Sequence, residues 1–376
     1  MKNKFIPVCE PLLEGNELNY VIEAVKTGWI SSSGKFVKLF EEKFADYCGA
    51  KYAVSACNGT AALHLALLSL GIEKGDEVII PSFTMIASAF SVCYTGAKPV
   101  FADVERETWN INPDLIEEKI TTKTKAIMMV SIFGHPCDVE EIRKIANKYN
   151  LFVIEDAAES HGAEYKGIKT GNLSDITAFS FYANKNLTTG EGGMVLTNKR
   201  DFYNKALYYK NLCFPLDGSR NYIHNDIGFN YRMSNIHAAL GLAQIEKADY
   251  YREKRITNGK LYRELLKDVP GVYFQIDRDY VLNVYWMNGL VIEPKTYGKT
   301  RDDLILFLKN YGIDVRLFFT GMHKQESLKK YDCDMRGDYP ITDYLTDNGF
   351  YLPSSSSLDT SDIKYICGLI KEYGKN

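Results

Sequence analysis

Between residues 77 and 156 short apolar runs alternate with polar or amphipathic stretches, and this alternation restricts the fold more than any other feature of the chain. The runs at 77–81 (EVIIP), 99–103, 125–133 and 151–156 (LFVIED) have the length and composition of strands. Between the last two, Asp138 is placed to cap a helix that repeats Val139, Ile142, Ile145, Ala146 and Tyr149 on one face. Strand, helix, strand of this length predicts a parallel sheet with right-handed crossovers and helices on its faces. Upstream, 34–48 carries Phe36, Leu39, Phe40, Phe44 and Tyr47 at helical spacing, and 60–70 is apolar on nearly every side, so both are expected to pack and the second to be buried.

The stretch 234–266 reads as a long helix, broken once, that leads out of this sheet. Beyond it, 283–292 and 313–319 read as strands, with helices at 301–311 and 361–373. The expected architecture is α/β, with a large domain at 1–245 built on a mostly parallel central sheet between helices. A small C-terminal α+β domain follows at 246–376. A chain of 376 residues has the length for both.

Lys and Arg total 45 against 48 Asp and Glu, a net charge of −3, which argues against a nucleic-acid binder held by a general basic field. The start MKNKFIPVCEPLLEG lacks the apolar region of a secretory signal, and no apolar run approaches the roughly 20 residues of a membrane span. The eight cysteines form no CxxC pair and suit reduced thiols, so the expected setting is cytoplasmic, without a membrane partner. The six histidines form no HExxH, and no metal is expected.

Chemistry gathers around TAFSFYANKNLTTGEGGM at 177–194. Lys185 lies between a strand expected at 177–182 and a turn with Gly190, Gly192 and Gly193, after which an apolar strand resumes. An ammonium beside apolar surface is disfavoured, which moves the amine towards a usable nucleophile. LFVIED ends in Glu155 and Asp156 at the carboxyl end of a strand, where ligands of open parallel sheets bind. Asp156 is placed either to cap the following AAES or to share a cavity with Lys185. In CNGTAALHLALL, Gly59 and Thr60 open a helix whose free N–H groups favour a phosphate. Ser180 either adds a hydroxyl to that phosphate or is satisfied within the sheet. A phosphate cradle, an acid and a reactive lysine are what pyridoxal 5′-phosphate requires. Neither a P-loop nor a GxGxxG after a strand competes with this reading.

The segments GWISSSGKFVKLFEEKFADYCG, NGTAALHLAL, GDEVIIPSFT, FGHPCDVEEI, VIEDAAESHGA, SFYANKNLTTGEGGM and GFNYRMSNIHAALGLAQIE occur in this order. Together they resemble the DegT/StrS-type nucleotide-sugar aminotransferases, fold-type I pyridoxal-phosphate transferases, over nearly the whole chain. The resemblance implies that Lys185 forms the Schiff base with the cofactor, that Asp156 pairs with its pyridine nitrogen and that Glu159 lies near its ring. It implies that Gly59, Thr60 and Ser180 hold the phosphate. Asn230 and Arg232 would reach across a homodimer interface to the neighbour's cofactor. Met85 stands where such enzymes usually stack an aromatic residue, so stacking is expected to be weaker or to come from elsewhere, with thioether contact as one substitute. The RPxFxPxH segment of the family reads RLFFTGMH here, keeping Arg316 and His323 for the substrate but placing Leu317 and Gly321 where prolines are usual. Ala183 replaces a common glycine beside Lys185, and 213–225 matches poorly.

The implied activity is transfer of an amino group from L-glutamate to a nucleotide-linked keto sugar, a 4-keto-6-deoxyhexose above all. Rival readings are amination of a 3-keto sugar or of another phosphorylated ketone, and a cofactor-binding sensor without turnover. A related dehydratase branch has histidine at the lysine position, and Lys185 argues against it.

Overall fold

The structure is a computed structural model and describes residues 5–219 and 222–375. Seven strands form its central sheet: β1 (Tyr52–Ala56), β2 (Glu77–Pro81), β3 (Lys98–Ala102), β4 (Thr124–Val130), β5 (Phe152–Asp156), β6 (Ile176–Ser180) and β7 (Gly193–Thr197). Their order across the sheet is β1-β7-β6-β5-β4-β2-β3. From β3 to β6 all neighbours run parallel, and β7 is antiparallel to both β6 and β1. The mostly parallel α/β sheet read from the 77–156 alternation is therefore present.

Successive strand residues face opposite sides, and each side has its own core. On one side Val78, Ile80, Met128 and Ile154 pack beneath the helix Gly59–Leu70, which is buried almost all round as its apolar sequence demands. On the other, Ile79, Ile127, Met129 and Val153 meet Val139, Ile142 and Ala146 of the helix Val139–Tyr149. Asp138 caps that helix by accepting a hydrogen bond from Glu141 N at 3.4 Å. Further along the second side, the helix Lys35–Cys48 inserts Phe44 edge-on to Phe179 and Phe181, with ring centroids 4.9 and 5.0 Å away.

The long stretch after Ser234 is two helices, Asn235–Glu246 and Ala248–Leu266, broken once at Lys247. The second helix enters a separate core with Leu290, Ile292, Phe350, Leu352 and the helix Thr360–Tyr373. Here β8 (Val272–Phe274), β9 (Asn288–Ile292), β10 (Arg316–Leu317) and β11 (Gly349–Leu352) form an antiparallel sheet in the order β8-β9-β11-β10. The N-terminal segment belongs partly to this core, because Ile6 N donates to Gly312 O at 2.9 Å and the Ile6 side chain is buried in the cluster. Among the described residues, no helix is long and apolar enough to cross a membrane.

Three expected strands are shorter than their composition suggests. The 283–292 run is strand only from Asn288. Tyr285 N donates to Asn283 Oδ1 at 2.8 Å, and the chain turns through a positive φ of 47° at Tyr285. In 313–319 only Arg316 and Leu317 pair, because Ile313 bridges to Ile6 instead. The 125–133 run ends at Val130, and Phe133 takes a positive φ of 55° in the turn that follows.

Phe44 closes the aromatic contact between the helix Lys35–Cys48 and β6. Phe44→Ala should therefore cost about 3–5 kcal/mol of unfolding free energy, measured as a lowered urea midpoint at unchanged m-value. A loss below about 1 kcal/mol would mean that this box is not closed around the ring.

Candidate active site

The carboxyl ends of β5 and β6 and the start of the helix Gly59–Leu70 surround a cavity of about 350 Å³. Gly59, Thr60, Met85, Asp156, Glu159, Ser180 and Lys185, all singled out in the sequence, line it. Asp156 and Ser180 meet there because β5 and β6 are parallel neighbours, with Asp156 opposite Ala178. Lys185 lies beyond the end of β6, in a turn where its N–H donates to Tyr182 O at 2.9 Å.

The helix start is pressed against the sheet. A Cβ on Gly59 would stand 2.6 Å from the Ser180 Cβ, and one on Gly193 would overlap the Asn58 carbonyl oxygen. Asn58 caps the helix by accepting from Ala61 N at 2.8 Å. With that N–H taken, Gly59 and Thr60 are the helix-start residues at the cavity wall, beside the Ser180 hydroxyl. The cradle suits a phosphate.

Asp156 fulfils both roles proposed for it. Its Oδ1 accepts from Ala158 N at 3.2 Å, as a cap does, while Oδ2 accepts from Ser88 Oγ at 2.8 Å at the cavity wall. Burial raises its carboxyl above the ordinary range, opposed by these two donors and by Lys185. Glu159 Oε2 accepts from Phe133 N at 2.7 Å, so the turn after β4 positions this acid. Burial pushes Glu159 up to about 7, against the pull of Lys185, whose Nζ lies 4.0 Å from Glu159 Oε1. Burial also lowers the Lys185 amine, with Glu159 and Asp156 opposing it, the direction expected of a desolvated amine. A cofactor with a phosphate, a basic ring nitrogen and a carbonyl carbon finds a partner for each: the cradle at Gly59, the Asp156 carboxylate and the Lys185 amine.

Other sequence candidates stand outside this cavity. Asn230 is exposed and bridges to Asn211 through its backbone. Arg232 donates to Asn211 Oδ1 at 2.6 Å and lines a separate hollow with Lys210, Ser32 and Ser33. Arg316 is exposed and paired with Asp314. His323 Nε2 lies 2.9 Å from Asp343 Oδ1, and its ring stacks on Tyr339. Conversely, Trp286 and Tyr351 wall the cavity although nothing in their local sequence marked them, and Phe319, inside the RLFFTGMH segment but not singled out there, joins them. Their neighbours are set by tertiary packing across a hundred residues and more, which no local pattern encodes.

Comparison with known proteins shows what the chain is similar to. The profile of the DegT/DnrJ/EryC1/StrS aminotransferase family matches residues 11–371. A GDP-perosamine synthase of Escherichia coli O157:H7 is 43% identical over 371 residues, 98% of this chain and 99% of its own. One from Vibrio cholerae is 37% identical over 369 residues, with 98% and 99% covered. The solved structure of Helicobacter pylori PseC, an aminotransferase involved in the biosynthesis of pseudoaminic acid, superposes with a TM-score of 0.92 at 25% identity. It covers 99% of this chain and 100% of that one.

Glu155, one residue before Asp156, points to the opposite side of the sheet. Its buried carboxylate accepts from Gly171 N at 3.0 Å, Thr177 Oγ1 at 3.3 Å and Ser131 Oγ at 3.4 Å, and burial pushes it up to about 7. A carboxyl raised above its unfolded value, about 4.3, stabilises the fold fully below that value and loses the contribution as pH rises through the folded one. Glu155→Gln should therefore gain stability relative to the parent protein as pH goes from about 5 to about 8, read as a growing difference in Tm. A constant difference would assign Glu155 an ordinary carboxylate environment.

Proposed function

The chain belongs to the DegT/DnrJ/EryC1/StrS aminotransferase family and is a pyridoxal-phosphate-dependent aminotransferase, and from that premise we propose that it moves the amino group of L-glutamate onto a GDP-linked 4-keto-6-deoxyhexose. The observation that carries the chemistry is the desolvated Lys185 amine, within 4.0 Å of Glu159 in the cavity that Asp156 also lines. The GDP-perosamine synthases of E. coli and V. cholerae, matched over their full length, support the nucleotide and the sugar.

When bound, pyridoxal phosphate supplies the electron sink that lets the amino donor lose its α-proton. The chain's own groups do the rest. The N–H groups of Gly59 and Thr60 and the hydroxyl of Ser180 would hold the phosphate. Asp156, kept in place by Ser88 and Ala158, would hold a proton on the ring nitrogen by its negative charge. Lys185 Nζ takes the α-proton and returns it on the reacting face. Glu159 sets the charge beside that amine. Met85, at the cavity wall, would meet the ring through its thioether, and Phe319, Tyr351 and Trp286 would keep water from the reacting carbon.

The same reading makes the enzyme a cytoplasmic homodimer, with a cofactor domain at 1–245 and a small domain at 246–376. In it Asn230 and Arg232 serve the neighbour's cofactor, and Arg316 and His323 serve the sugar nucleotide. Supporting the dimer, Leu216, Tyr222 and Ile227 form exposed apolar surface in the segment that leads to Asn230, with Ile227 88% exposed.

With glutamate as donor, the purified protein should use a GDP-linked 4-keto-6-deoxy sugar at least about a hundredfold better in kcat/KM than its UDP or dTDP counterpart. Lys185→Ala should abolish turnover, and Asp156→Asn should slow it by orders of magnitude. Preference for another nucleotide would overturn the substrate assignment, and an active Lys185→Ala protein would overturn the site. For the shared site, mixing inactive Lys185→Ala with impaired Asn230→Ala chains should restore activity once subunits exchange. No recovery after demonstrated exchange would confine Asn230 to its own chain.

A further inference from the structure

The turn that carries Lys185 is gripped from outside the central sheet. The carbonyl oxygen of Asn184 accepts from Trp286 Nε1 at 2.9 Å and from Cys9 Sγ at 3.3 Å. The Trp286 ring also lies over the amine itself, its centroid 3.7 Å from Lys185 Nζ. Trp286 is buried and rests on Phe133, with ring centroids 6.3 Å apart and planes 29° from parallel. Phe133 is the residue whose N–H holds Glu159.

One guanidinium joins these contacts. Arg255, on the helix Ala248–Leu266 and buried, donates from Nη1 to Trp286 O at 2.9 Å and also to Ser354 O. It donates from Nη2 to Cys9 Sγ at 3.4 Å and from Nε to Ser356 Oγ at 2.9 Å. Both donors to Asn184 O are therefore fixed by the same side chain.

We infer that Trp286 is a positioning residue for Lys185: its ring face holds the amine beside Glu159 while its N–H, with the Cys9 thiol, pins the turn that presents it, and Arg255 fixes Trp286. The negative face of an indole ring attracts an ammonium and does little for a neutral amine. The ring therefore favours the charged lysine, in the same sense as Glu159, Asp156 and Cys9 and against burial. Glu191, Tyr182 and Tyr351 are the remaining ionisable groups that line the cavity. During turnover the contact holds the proton-bearing nitrogen in one place.

The inference rests on Lys185 being the reacting amine, and the test reads that amine in the apo-protein so that the two ideas fail separately. Protein is produced with mono-, di- and trifluorinated tryptophan, which withdraws charge from the ring face at nearly constant shape. The chain has three tryptophans, and among the described residues Trp286 is the one over Lys185. Reductive methylation with formaldehyde and cyanoborohydride is followed at Lys185 by peptide mass spectrometry across pH. The midpoint should fall stepwise with each fluorine, by about half a unit to one unit at the end of the series, while other lysines stay in place. In the holoenzyme, Trp286→Phe should lower kcat about tenfold with KM nearly unchanged. A midpoint that holds still or rises along the series, or a Trp286→Phe enzyme with the parent kcat, overturns the positioning role.

Discussion

Everything at the site depends on a contact that leaves no room for a side chain. The helix Gly59–Leu70 begins against β6 and β7 at a distance only glycine permits. Gly59 abuts Ser180, and Gly193 abuts the Asn58 carbonyl. A larger residue at either place would push the helix start away from the sheet end, separating the cradle from Asp156 and Lys185. Close approach, to the Ser180 side chain at Gly59 and to backbone at Gly193, is the physical reason glycine stands at both positions.

Much of this was legible in the sequence because its cause is local. The strand at 77–81 and the helix after Asp138 have the bounds that alternation, periodicity and an Asp cap indicated. The fold-type I sheet and the cofactor followed from several short motifs in order, and the family comparison agrees. Locality also sets the limit. Strand composition in 283–292 lost to the hydrogen bond that Tyr285 N donates to the Asn283 side chain, and Phe133 bends out of an apolar run to present its N–H to Glu159. Trp286 was unmarked because its partner at Asn184 lies 102 residues away. Met85 was noticed as a departure, and it does reach the cavity, half exposed beside Ala87.

The two acids at the end of β5 show how one dipeptide is divided by the pleat. Glu155 and Asp156 have the same functional group and both are buried, yet one faces a core with three neutral donors and the other shares a cavity with a lysine. Their surroundings, more than their identity, separate a carboxyl that helps fold the sheet from one available to a ligand.

Arg255 carries a consequence for how charge behaves here. The lysine and the acids lining the cavity can exchange protons, but a guanidinium in a protein does not release its own. Among the described residues, Arg255 is satisfied by carbonyls, a hydroxyl and a thiol, with no carboxylate in an ion pair. Behind the mobile protons thus stands a permanent positive source with its dipoles already oriented. When a proton moves at Lys185, little around it has to turn, and a small reorganisation energy is what favours fast proton transfer.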